Sequence, residues 1–218
     1  MYNQKNFPLM PPTVPVAEAD GLIKLIDLAH DLLVMCPIWQ EPKPGDICQL
    51  IVNHSPVGVA FPLPGTIPEE PIKLKLPLEA LQAEGTYRIG YRLTGYPGGV
   101  AIDSPTVLIR IDRTALGAAL LAPMMFRQIN FGDALAGHVP GYAHMAAGDT
   151  LMTLCNGVQG PIYQVGNEDL AERAMQISFS RDFLQSLQSP TITMTYQVTD
   201  RAGNQSRLAS PVTLSMQQ

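Results

Sequence analysis

The chain is short of charge. Only 15% of its 218 residues are Asp, Glu, Lys or Arg, against 46% hydrophobic, which is too apolar for disorder. The 14 Lys and Arg are outnumbered by 19 Asp and Glu, for a net charge of −5. The basic residues are scattered, with no stripe able to release counterions from a phosphate backbone, so nucleic acid is excluded as a partner. Long apolar runs are also missing. Stretches such as LLVMCPIW fall far short of the ~20 residues that a membrane-spanning helix needs. The opening MYNQKNFPLMPPTVPV has no apolar core behind its charge, so no cleavable secretory signal is expected. The expectation is a cytoplasmic protein, or one exported by a signal-independent route.

The vocabulary of catalysis is equally thin. There are three cysteines, Cys36, Cys48 and Cys155, an odd number with no C-x-x-C spacing. The four histidines, His30, His54, His138 and His144, fall at expected turns or strand ends and never at metal-binding H-x-x-x-H spacing. No serine sits in G-x-S-x-G, and no glycine-rich loop joins a strand to a helix. The expectation is therefore no enzyme, no cofactor and no metal. Asp200 and Asn204 in DRAGN carry oxygens that suit calcium, but the same side chains commonly close turns on their own backbone.

What the chain does have is turns and a repeat. Its 20 prolines and 18 glycines favour an all-β protein. Sliding the sequence over itself by 103 residues lays LIDLAHDLLVMCPIWQEPKPGD on QINFGDALAGHVPGYAHMAAGD without a gap. Leu32 then meets Leu135, Pro37 meets Pro140, Trp39 meets Tyr142, and Gly45-Asp46 meets Gly148-Asp149. Asn53 meets Asn156 and Leu81 meets Leu184; beyond a two-residue insertion, Tyr91, Thr94 and Gly98 meet Tyr196, Thr199 and Gly203. One more insertion aligns Ser104-Pro105 with Ser210-Pro211, and Leu108 with Leu214. The expected organisation is an N-terminal arm at 1–11 and two like domains at 12–112 and 113–218. Each is near the ~100 residues of an immunoglobulin-type sandwich.

The repeat also resolves a local conflict. GLIKLIDLAHDLLVMC reads as an amphipathic helix, but its partner carries Asn130, Gly132 and Gly137, which are poor inside a helix. Two short strands joined by a turn are therefore expected in both copies. The strands expected are 22–27, 32–37, 47–53, 57–61, 72–76, 86–94 and 106–111, then 125–131, 134–139, 150–155, 161–165, 175–179, 191–199 and 211–216. TYRIGYRLT and TITMTYQVT alternate as strands with one wet face. LPLEALQ and SRDFLQSLQ suggest a helical turn before each. The fold class is all-β, two antiparallel sandwiches in tandem.

YQVTDRAGNQS resembles the closing hairpin of bacterial immunoglobulin-like repeats, and AAGDTLMTLCNG the phrase that opens their middle strands. The resemblance covers most of the second copy and, more loosely, the first, which has TGYPGGVAIDS in place of TDRAGNQSRLAS. It implies immunoglobulin-like modules of large surface or exported proteins of Gram-negative bacteria, acting as spacers and adhesive modules. It brings no active site with it.

In the alignment Cys36 sits on Val139, Cys48 on Leu151 and Cys155 on Val52, which reads as core packing. A Cys36–Cys48 bridge is the alternative. Trp39 and Tyr142 share one position, as lids on the core or as surface aromatics. They are the candidate ligand contacts. The functional expectation is a non-enzymatic adhesive or structural module with a protein or glycan partner. The alternative is a small secreted effector or insecticidal-type protein that binds a host glycan or receptor.

Overall fold

The computed structural model describes residues 8–116, 120–127, 133–172 and 174–216. The chain forms two compact units, Met1–Arg113 and Thr114–Gln218. In the first lie β1 Leu22–Ile23, β2 Leu32–Cys36, β3 Ile47–Val52, β4 Ser55–Pro62, β5 Ile72–Leu76, β6 Gly85–Thr94, β7 Ala101–Asp103 and β8 Val107–Ile111. In the second lie β9 Met125–Phe126, β10 Ala134–Pro140, β11 Thr150–Cys155, β12 Val158–Gln164, β13 Ala174–Ser180, β14 Thr191–Thr199 and β15 Val212–Ser215. Two six-residue helices, α1 Asn167–Glu172 and α2 Arg181–Ser186, flank β13.

The first unit packs a sheet ordered β1-β8-β6-β3-β4, with β7 added to β6, against the pair β2-β5. The second packs β12-β11-β14-β15 against β13-β10-β9. Among the described residues every strand pairing is antiparallel except β1 with β8, which is parallel. Alternation along the strands supplies each core. β5 buries Ile72, Leu74 and Leu76 and exposes its lysines; β13 buries Met175, Ile177 and Phe179. These side chains meet Cys48, Leu50, Ile89, Tyr91 and Ile109 in the first unit, and Leu151, Cys155, Met194 and Tyr196 in the second. Tyr87, at the start of β6, donates its hydroxyl to the Ala83 carbonyl at 2.7 Å, the corner found at the same place in immunoglobulin sandwiches. The chain is all-β, two tandem immunoglobulin-like sandwiches.

The matched asparagines have a common task. Asn53 and His54 (φ 49° and 70°) and Asn156 and Gly157 (φ 50° and 80°) form the two-residue turns of β3–β4 and β11–β12. Positive φ at both positions suits the twist of a hairpin, and asparagine tolerates it. The same side chains accept the N–H groups of Arg88 at 2.9 Å and Thr193 at 2.8 Å, tying each hairpin to the neighbouring long strand.

The helical pattern at 22–34 is not realised. β1 and β2 flank one 3-10 turn, Asp27–Ala29, and Ile26, which a helix would have buried, is 80% exposed. Pairing of β1 with the edge of β8 outweighs the local periodicity. The expected helical turns occur as a 3-10 turn at Leu78–Leu81 and as α2. β7 and α1 were not anticipated.

Two alignments need correction. β6 pairs with β8 as Tyr87↔Ile109 and Ile89↔Val107, and β14 pairs with β15 as Ile192↔Leu214 and Met194↔Val212. Leu214 therefore corresponds to Ile109 rather than Leu108, and the second insertion does not exist. Ala209 N–H bonds the Tyr196 carbonyl as Ser104 N–H bonds that of Tyr91, so the two Ser-Pro phrases lie one residue out of step. Likewise β9 is no counterpart of β1. Met125 pairs with His138 where Thr13 bridges Met35, and the hydroxyls of Tyr91 and Tyr196 bond the carbonyls of Met10 and Ala122. The first strand position of unit one thus lies near Thr13, where Val14 is buried. Of the strand expected at 125–131, β9 covers the start, and 128–131 fall outside the described residues.

Candidate binding site

Three segments of the first sandwich converge on the Gly45-Asp46 pair, two of them on the Asp46 carboxylate. Asp46 is 5% exposed and ends the loop between β2 and β3. Its Oδ2 accepts the N–H of Lys43 at 2.9 Å and the indole N–H of Trp39 at 3.2 Å; its Oδ1 accepts the N–H of Tyr96 at 2.9 Å. Its own carbonyl accepts the N–H of Leu63 at 2.7 Å, and Gly45 N–H bonds the Leu63 carbonyl at 2.9 Å. The loop after β2, the loop after β6 and the end of β4 are thereby fixed to one another. A buried charge carrying three donors holds such a loop far more firmly than a neutral group. Gly45 has φ 89°, and a Cβ there would stand 2.9 Å from Cγ of Tyr96, so the Tyr96 ring lies directly over the glycine.

Beyond Tyr96 the chain turns at Gly98 (φ 64°) and returns along β7. The return is held by Arg92, whose Nε and Nη2 donate to Asp103 at 2.6 and 2.8 Å. That bidentate pair keeps the Asp103 carboxyl below the usual carboxylate range. The hairpin presents apolar surface: Tyr96 is 63% exposed, Val100 78% and Ile102 43%.

The second sandwich repeats the frame with other side chains. Asp149 Oδ2 accepts the Tyr142 hydroxyl at 2.8 Å and the Ala146 N–H at 3.0 Å, and its carbonyl accepts the N–H of Val165. Arg201 takes the place of Tyr96, and its stem covers Gly148. Asp200 accepts from the backbone and side-chain N–H groups of Asn204, both at 2.8 Å, and closes the turn around Gly203 (φ 96°). Both carboxylate oxygens of Asp200 are engaged within that turn. Among the described residues, no three His, Cys, Asp or Glu side chains cluster to hold a metal.

The two candidate contacts therefore differ. Tyr142 is 6% exposed inside the second core, and burial, then its bond to Asp149, raises its phenol well above the ordinary range. Trp39 is half-buried, packs on the first core and borders the Asp46 cluster. Tyr96, Val100 and Ile102 were missed. Two signals could have found them: the matched Gly-Asp pairs, and the point where TGYPGGVAIDS departs from the second copy's phrase.

All three cysteines are free and buried; burial pushes the Cys155 thiol up to about 11. Of the histidines, His54 and His144 occupy turns with φ 70° and 61°. His30 lines an open pocket of about 460 Å³ with Ala29, Asp31, Lys75, Leu78 and Glu79. Asp31 spends an oxygen on the Leu78 N–H at 3.3 Å, and among the described residues no hydroxyl or thiol lines this pocket. Among the described residues no helix is long and apolar enough to cross a membrane.

No family model matches the chain, and no curated protein matches it in sequence. Solved structures do. One comes from work on host cell surface retention of a 1.5-MDa bacterial ice-binding adhesin, with TM-score 0.51 and 16% identity over 96% of this chain. The chain spans 64% of that structure's length. A second is the human OSCAR ligand-binding domain, with TM-score 0.40 and 12% identity, covering 94% of this chain and 99% of that one. At these identities the likeness to the adhesin is one of fold, and it agrees with the immunoglobulin-like arrangement of the strands.

Proposed function

We propose that the protein is a non-catalytic adhesive or structural binding module of a bacterial surface or exported system, with the hairpin after β6 as its principal contact. The observation that carries this reading is the Asp46 anchor. It fixes a hairpin whose exposed large apolar side chains are Tyr96, Val100 and Ile102. Apolar and aromatic groups held on a rigid frame are the usual anchors of recognition, since little conformational freedom is lost on binding. The adhesin likeness and the bacterial immunoglobulin-like phrases of the sequence support the same class of role. A non-catalytic role is supported by the state of its thiols and phenols, several of which burial renders poor nucleophiles.

The test applies labelled full-length chain to a glycan array and to intact bacterial and animal cells, beside a Tyr96→Ala, Val100→Ser, Ile102→Ser triple variant. Saturable binding that falls at least about tenfold in the triple variant, with its melting temperature kept, is expected. Binding indifferent to those changes would overturn the assignment of the hairpin. Turnover of a hydrolase substrate panel that His30→Ala abolishes would overturn the non-catalytic reading.

A further inference from the structure

Cys36 is the last residue of β2 and Cys48 the first inward-facing residue of β3. The loop between them crosses from one sheet to the other, so the two side chains stand at the same end of the first core, one from each sheet. Both are 0% exposed and share one hydrophobic cluster. The Cys48 thiol is close enough to raise the proton affinity of Cys36, and the Tyr91 phenol close enough to feel both. In the second sandwich the same positions hold Val139 and Leu151, so packing alone is satisfied without sulfur. Antibody domains link the strands corresponding to β2 and β6; here β6 supplies Tyr91 and β3 supplies the second thiol.

We propose that Cys36 and Cys48 form a sheet-to-sheet disulfide when the chain folds under oxidising conditions. The reaction is two thiol–disulfide exchanges with a disulfide oxidant. One cysteine thiolate attacks the oxidant and releases a thiol, and the other attacks the mixed disulfide and releases the second. Two protons and two electrons leave the protein, and the oxidant is reduced to two thiols. In the closed reduced sandwich the neighbouring Cys48 thiol, then burial, holds the Cys36 thiol far above its ordinary range, so little thiolate is present to react. Bridging therefore occurs while the sandwich is open, and the finished bond is shielded from reductant. Cys48 lies two residues after Asp46, so the link also stiffens the frame beneath the hairpin.

The full chain is refolded in oxidised glutathione or in excess reductant and examined by intact mass, peptide mapping and thermal melting followed at Trp39. After refolding in oxidant, a species two hydrogens lighter is expected. It carries a Cys36–Cys48 peptide and a free Cys155, and its first unit melts roughly 10 °C higher. A Cys36→Val, Cys48→Leu variant, which installs the residues of the second sandwich, should fold and melt alike in both conditions. Failure of the pair to link, linkage through Cys155, a bridged form that melts no higher than the reduced one, or a redox-dependent melt in the double variant would each overturn the proposal.

Discussion

Asp46 accepts the backbone N–H of Tyr96 at 2.9 Å across 50 positions of sequence. It is the bond that makes one structure of two loops. Asp46→Ala removes the acceptor for Tyr96, Lys43 and the Trp39 indole at once. Buried donors left without partners cost ~1–3 kcal/mol each where water cannot reach them. The variant should lose about 3 kcal/mol in denaturant unfolding, and its Trp39 emission should shift to longer wavelength. Unchanged stability and emission would show that the loops hold without the carboxylate.

High pH should weaken the second core in a predictable direction. Burial raises the Tyr196 phenol from its ordinary 10 up to about 12, and the Cys155 thiol up to about 11. The native state therefore keeps protons that the unfolded chain releases, and stability falls as pH rises. For Tyr196 the contribution is whole below about pH 10 and is lost as the pH climbs through about 12. Denaturant midpoints measured at pH 8, 10 and 11 should decline over the last two steps, and Tyr196→Phe should flatten part of that decline. A midpoint constant to pH 11 would contradict the burial argument.

Strand positions were legible because alternation and turn chemistry are local, and because two weak copies of one pattern corroborate each other. Neither copy alone would have overruled the helical look of residues 22–34. What escaped was set by distant pairing. The short β1 exists through its parallel contact with Arg110 and Ile111, and the strand position near Thr13 through its bridge to Met35. The exposed hairpin was hidden for the same reason: the matched Asp46 and Asp149 advertised a common anchor, but not that Tyr96 hangs from one of them. The Ser-Pro phrases misled because Pro105 and Pro211 both precede a final strand, one residue apart in register.

Cys155 should be replaceable. It is fully buried on β11, and its counterpart in the first sandwich is Val52. Cys155→Val nearly preserves volume and should cost below about 1.5 kcal/mol. With its thiol raised to about 11, only about one molecule in a thousand carries the thiolate at pH 8. Native labelling with a thiol reagent should therefore be slow and should accelerate on unfolding. Rapid native labelling of Cys155 would show that the second core opens readily.

The single Trp39 reports on the first sandwich alone, which makes the independence of the two units measurable. Gly203 holds φ 96° in the tight turn between Asp200 and Asn204. A β-branched residue there is forced into a conformation that costs ~1–3 kcal/mol. In Gly203→Val, melting followed by circular dichroism should show a component shifted down by roughly 5–10 °C. The Trp39 emission transition should stay where it is in the parent, because each sandwich closes around its own cluster of side chains. If the tryptophan signal moves with the rest, the two units unfold as one cooperative body, and the division after Arg113 is a boundary of contacts without being a boundary of stability.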